Sequence, residues 1–260
     1  MELMKTQQSP IFTYLIYANI RKCQRASALP QYMVVTSPQN NSPFSSGRLL
    51  DEDRITKALN LASSLGATYS EIRLVSETTN TASLKDGKLE RAIPGQEVGV
   101  TMRILADGAW GVHSTSDIAS IVDQVESTFR LAKAVAARRA PSQTVVELAE
   151  VPIIEDEIHW KSVKDVRKTD LDQRIEMMLA IDNEAKDDER IVSTSTGWSD
   201  EHIHTELMTS EGMNRVWSFQ RSLINGMVTA RDGDDVVSYR MRHGGEGGLE
   251  VIEKCDLGEM

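Results

Sequence analysis

The stretch Val98–Asp117, VGVTMRILADGAWGVHSTSD, constrains the fold more than any other part of the chain. Val98, Val100, Met102 and Ile104 alternate with Gly99, Thr101, Arg103 and Leu105, and a period of two keeps residues on one face only in a β-strand. Asp107-Gly108 then interrupts the pattern. A two-residue hairpin turn of type I′ needs φ > 0 at both central positions, which an Asp-Gly pair tolerates. The chain must therefore fold back through AWGVHST as an antiparallel partner. Ser116 or Asp117 can next cap a long helix carrying Ile118, Ile121, Val122, Val125, Phe129 and Ala132 on one stripe.

The same logic extends in both directions. In DEDRITKALNLASSLGA, Ile55, Ala58, Leu59, Ala62 and Leu65 follow helical spacing. Acids crowd its first turn, where the helix dipole favours them, and Gly66 offers a C-terminal cap. Lys85-Asp86-Gly87-Lys88 marks a second tight hairpin within YSEIRLVSETTNTASLKDGKLERAIP. Helix, antiparallel hairpins and helix, closed by AARRAPS with Pro141, make an α+β domain over residues 51–140. Beyond the acidic connection ELAEVPIIEDE, Thr169 and Asp172 frame a capping-box-like start for a helix bearing Leu171, Ile175, Met178 and Leu179. From Arg190 onward the pattern reads as a β-meander, with turns expected at Ser199-Asp200, Ser210-Glu211-Gly212 and Asp232-Gly233. This second, central domain spans 150–260 and reads as incomplete at its C-terminus.

Residues 1–50 read as a leader and linker outside the fold. The run IFTYLIYANI has the length of a signal-peptide core, and Ala26-Ser27-Ala28 resembles a cleavage site. Against a signal, Glu2 offsets Lys5, Asn19 and two tyrosines dilute the core, and Arg21, Lys22 and Arg25 follow it. No apolar run approaches the roughly 18–20 residues of a spanning helix, so no membrane partner is expected. The net charge of -10, with basic residues scattered among acids, argues against a nucleic-acid partner. Cys23 and Cys255 lie far apart and form no metal-ligand spacing, which favours a reducing cytoplasm over a disulfide framework.

Side-chain chemistry is harder to place. His202, His204 and Glu206 stand two apart and share one strand face. They could begin a zinc site, but the pattern is equally that of a strand turning its polar side to water. The run GGEGG at 244–248 lacks the Lys-Ser/Thr ending of a phosphate loop and suits a turn or a close backbone approach. Trp110, Trp198 and Trp217 are expected on sheet faces, and His113 as a packed or capping residue. No His-Glu dipeptide occurs in the chain, and no Ser-His-Asp or Cys-His arrangement follows from spacing. No residue is therefore assigned as catalytic, cofactor-binding or metal-binding.

The pieces LGATYSEIRL, LKDGKLE, VGVTMRILADGAWGVHSTSD and RHGGEGGLE, in this order and spacing, resemble the TldD/PmbA family of zinc metallopeptidases, once described as modulators of DNA gyrase. The resemblance covers about residues 51–255. It implies an N-terminal α+β domain, a central domain, and a C-terminal β-rich domain whose H-E-x-x-x-H helix holds Zn²⁺ and activates a water. The chain stops before that helix, so no ligand or base transfers to a residue present. Zinc is thus expected only in the absent domain. The resemblance further implies a peptide or unfolded-protein substrate, pairing with the same or another family member, and inactivity of this chain alone. The alternative is a non-catalytic peptide-binding or assembly module.

Overall fold

Two Asp-Gly turns lay down the first three strands. The computed structural model describes residues 48–140 and 142–253. In it β1 (Tyr69–Lys85) turns at Asp86-Gly87 into β2 (Lys88–Ala106), which turns at Asp107-Gly108 into β3 (Ala109–Thr115). All four turn residues have φ between 50° and 79°, the left-handed region that the type I′ geometry demands. The leader up to residue 47, Cys23, Pro141 and Cys255 lie outside the described residues.

After β4 (Glu155–His159), the meander β5 (Ile191–Thr209), β6 (Asn214–Asp232) and β7 (Asp235–Glu246) completes a seven-stranded sheet. Its order is β3-β2-β1-β5-β6-β4, with β7 on the same side of β6 further along. Every pairing is antiparallel except β4 with β6. The fold is α+β, as the alternating patterns require. Because β1 pairs with β5 from Glu71↔Thr209 to Lys85↔Ser195, the sheet runs unbroken from the N-terminal hairpins into the meander.

Helices cover one face of this sheet in two groups. Near one end, α1 (Glu52–Ser64) and α2 (Val125–Ala137) close a core of Ile55, Leu59, Ile72, Leu74, Met102, Ile104, Val125 and Met208. Asp51 caps α1 by accepting from the Arg54 N–H. The core begins before Asp51: Leu50 is buried and belongs to it. The long helix expected after Asp117 is two elements, a 3₁₀ segment (Ile118–Gln124) and then α2. Asp117 accepts from Ala119 N–H, and its carbonyl takes both the backbone N–H and the hydroxyl of Ser120, which favours the tighter winding. At the crossing of α2 with β3, a Cβ on Gly111 would stand 2.1 Å from the Thr128 carbonyl oxygen, so glycine permits the approach.

At the other end, α3 (Leu171–Ala185) and α4 (Glu250–Glu253) cover Ala82, Leu84, Met178, Trp198, Ile224, Leu249 and Ile252. The capping box expected at Thr169 and Asp172 does not form. Asp170 is the N-cap, without a side-chain bond, and Thr169 donates instead to the Asp165 carbonyl. The helix is pinned by a charge. Arg174 and Asp200 are both almost fully buried and pair at 2.5 Å. The remaining Arg174 donors reach the carbonyls of Thr169 and Val166, while Asp200 also accepts from Trp198 Nε1 and Asn80 Nδ2. The turn expected at Ser199-Asp200 is therefore wrong. Asp200 sits inside one continuous strand because Arg174 compensates it.

A buried pair of this kind contributes little net stability when intact, yet losing one partner strands the other charge. Arg174→Met is expected to lower the unfolding free energy by about 3–5 kcal/mol in urea denaturation, with part of it restored by adding Asp200→Leu. Equal loss from the single and double variants would show that the charge of Asp200 is not the cause.

Candidate functional site

Between the two helix-covered clusters the same sheet face turns polar. Register accounts for it: Ser76 faces His204 and Thr78 faces His202 across β1–β5, while His204 faces Ser218 and His202 faces Gln220 across β5–β6. Side chains alternate along a strand, so Ser76, Thr78, His202, His204, Ser218 and Gln220 share one face with the core residues on either side. β4, running parallel to β6, adds His159 opposite Ser218. The segment 160–168 forms a wall, and the whole encloses a cleft of about 570 Å³, within the usual size of a small-ligand site.

The wall is fastened by the glycine run. A Cβ on Gly248 would lie 1.8 Å from the Lys164 carbonyl oxygen. Its absence lets Leu249 N–H bond that oxygen and lets the Glu250 carboxylate accept from Val163 and Lys164 N–H. GGEGG is thus a close backbone approach, as its sequence suggests.

His204 donates from Nε2 to Glu206 at 2.9 Å, and the buried Glu206 also accepts the backbone N–H groups of Leu49 and Leu50. The outward-facing strand considered for these residues is not what forms, since the chain before α1 covers them. His159 is held at both nitrogens, by Ser218 Oγ at 2.6 Å and Glu157 at 2.7 Å. With the carboxylate accepting at Nε2, the Ser218 hydroxyl donates to Nδ1. Ser218, His159 and Glu157 thus follow the order of a nucleophile, base and orienting acid. However, the β6 backbone at Ser218 is flanked by strands on both sides, which leaves no obvious pair of N–H donors for an oxyanion. The relay orients an imidazole. The rings of His159 and His204 stack at 6.4 Å.

His202 differs from both. It is 9% exposed, lines the cleft and has no hydrogen-bond partner among the described residues. Burial, then the nearby Arg167, push its imidazole down to about 4. Burial also acts to raise the Asp165 carboxyl, but the Arg167 guanidinium and N–H outweigh it and hold Asp165 below its ordinary range. Glu157 is held low by its bond to His159.

These residues do not fit zinc. Both His159 nitrogens and His204 Nε2 are already engaged, and no group of three or more His, Cys, Asp or Glu among the described residues is arranged to hold a metal ion. His113 lies on β3 opposite Met102, outside the cleft lining. Trp198 is buried in the second cluster, Trp110 packs edge-on against Tyr69 under the Arg103 guanidinium, and Trp217 lies beside Arg215. The spacing of His202, His204 and Glu206 signals a shared face. Nothing local signals His159, Glu157 or Ser218, because the parallel β4–β6 pairing joins segments 59 residues apart.

In the unfolded chain the His202 imidazole takes up its proton near the ordinary 6.5, but in the folded chain only near 4. Between these values the unfolded state binds more protons, so acidification favours unfolding. Stability should be full above pH 6.5 and fall by roughly 3 kcal/mol toward pH 4 on this account. His202→Gln is expected to flatten that decline in urea titrations run across the window; parallel profiles would remove His202 as the cause.

Two family models match the chain: PmbA/TldA metallopeptidase domain 1 over residues 70–137, and the PmbA/TldA metallopeptidase central domain over 164–259. A metalloprotease of Methanocaldococcus jannaschii is 28% identical over 203 residues, covering 76% of this chain and 43% of its own length. A metalloprotease of Methanothermobacter thermautotrophicus is 23% identical, covering 74% of this chain and 40% of its own. The chain thus spans less than half the length of these relatives. Among solved structures, a Thermotoga maritima protein described as a candidate modulator of DNA gyrase superposes with a TM-score of 0.60 at 18% identity, over 80% of this chain and 45% of that one. TldE of Thermococcus kodakarensis does so at 0.57 and 14%, over 79% and 46%. These structural likenesses establish the fold.

Proposed function

The chain belongs to the TldD/PmbA metallopeptidase family, and from that premise we propose that it contributes the peptide-handling part of a zinc peptidase without supplying the metal. The observation that carries the reading is the ordered pair of family matches, domain 1 then central domain, over the described sheet. The metalloprotease relatives support the reaction class. Zinc bound by another segment or subunit would activate the hydrolytic water. The residues described here would position an extended or unfolded peptide.

A surface for that role is at hand. The outer edge of β7 has no strand partner among the described residues, and such an edge accepts an extended segment through main-chain hydrogen bonds. The same edge favours the second reading, a non-catalytic module that assembles with a family member. Direct DNA contact is disfavoured by the net charge of -10. No helix among the described residues is long and apolar enough to cross a membrane. The cytoplasm is the compartment we propose.

Metal analysis and a peptidase assay on the purified chain test the first reading. After dialysis with added zinc, the chain should retain no stoichiometric metal and hydrolyse no unstructured peptide. Tightly bound stoichiometric zinc together with hydrolysis would overturn it. A stable complex with a full-length family member that gains no hydrolysis would favour the assembly module.

A further inference from the structure

The cleft at the seam of the two helix groups carries charge of the opposite sign to the rest of the molecule. Its lining holds Arg48, Lys161, Arg167 and Lys168 against Glu157 and Asp165, a surplus of two positive charges in a chain whose net charge is -10. The compensation is uneven. Arg167 is committed to Asp165 and Arg48 to Glu52, whereas the ammonium groups of Lys161 and Lys168 form no ion pair among the described residues. A concave, low-dielectric wall focuses such a field on whatever enters.

The second observation is His202, nine-tenths buried, on the cleft floor and without a hydrogen bond to any described residue. Its ring nitrogens open into the cleft and are not sealed from it, so a ligand that enters can accept the ring N–H. A donor on the floor and two free ammonium groups on the wall match an anion with its oxygens to one side.

We infer that this cleft is a binding site for a small organic carboxylate, whose oxygens accept from the His202 ring and lie against Lys161 and Lys168. With Arg48 offset by Glu52 the surplus comes down to one positive charge, which suits a single carboxylate, and the volume of about 570 Å³ leaves room for a body of a few residues or a comparable organic acid. The site is distinct from the peptidase reading: binding involves neither zinc nor hydrolysis and can be measured when both are absent.

Calorimetric titration of the full chain at neutral pH tests it with three probes: a tripeptide with a free C-terminal carboxylate, the same tripeptide as its amide, and propionate. The free-acid tripeptide should bind saturably and the amide about tenfold or more weaker. Propionate binding comparably to the tripeptide would assign the site to free organic acids, and propionate binding far more weakly would assign it to peptide termini. His202→Gln and the double variant Lys161→Ala/Lys168→Ala should each weaken the acid about tenfold, with thermal unfolding at neutral pH checking that the fold is kept. The lysine variant is exposed and leaves the core untouched, so it decides the matter should His202→Gln be unstable. Equal affinity for acid and amide, unchanged affinity in the lysine variant, or no saturable acid binding up to about 10 mM would each overturn the proposal.

Discussion

The pairing of β1 with β5 is the constraint on which the rest of this structure depends. Its ladder joins a strand of the N-terminal hairpins to a strand of the meander over positions from Glu71↔Thr209 to Lys85↔Ser195. Side chains alternate, so this one register decides what every residue of both strands faces. It sets Ile72 and Leu74 under α1 and α2, Ala82 and Leu84 under α3, and Ser76 and Thr78 between them beside His204 and His202. A slip of one residue would send both cores and the histidines to the opposite face. The segments matching the two family models are therefore built on a common sheet.

The cleft follows from that arrangement. Two groups of helices pack on one sheet face and leave a strip between them, bounded by the Arg174–Asp200 pair on one side and Glu206 on the other. Both boundaries are buried charges with full sets of partners, the condition under which a charge tolerates burial. The boundary groups spend their hydrogen bonds on structure. His202, lying between them in β5, does not. That contrast singles it out more sharply than its place in a His-x-His-x-Glu pattern.

Much of the architecture was legible because it is local. Alternation through Val98–Ile104 and the Asp-Gly pairs at 86–87 and 107–108 dictate strands and turns from neighbouring residues alone. The α+β class and the family resemblance rest on such signals. The differences that shape the cleft are nonlocal. Asp200 looks like a turn residue until Arg174, 26 positions earlier, reaches it across the fold. The alternation puts His202 and His204 on one face, but whether that face meets water or a wall depends on Leu49, Leu50 and the 160–168 segment. His159, Glu157 and Ser218 gave no sign, since a parallel strand pairing brings them together.

Native-state hydrogen exchange read by mass spectrometry tests the account most directly, through the claim that one sheet unites both family segments. Amides of β1 between Ile72 and Leu84 and of β5 between Thr196 and Met208 should open in a single cooperative unit, with the same dependence on denaturant as global unfolding. Protection that persists in residues 70–137 under conditions where 164–253 has already exchanged would contradict it, showing two units that merely touch.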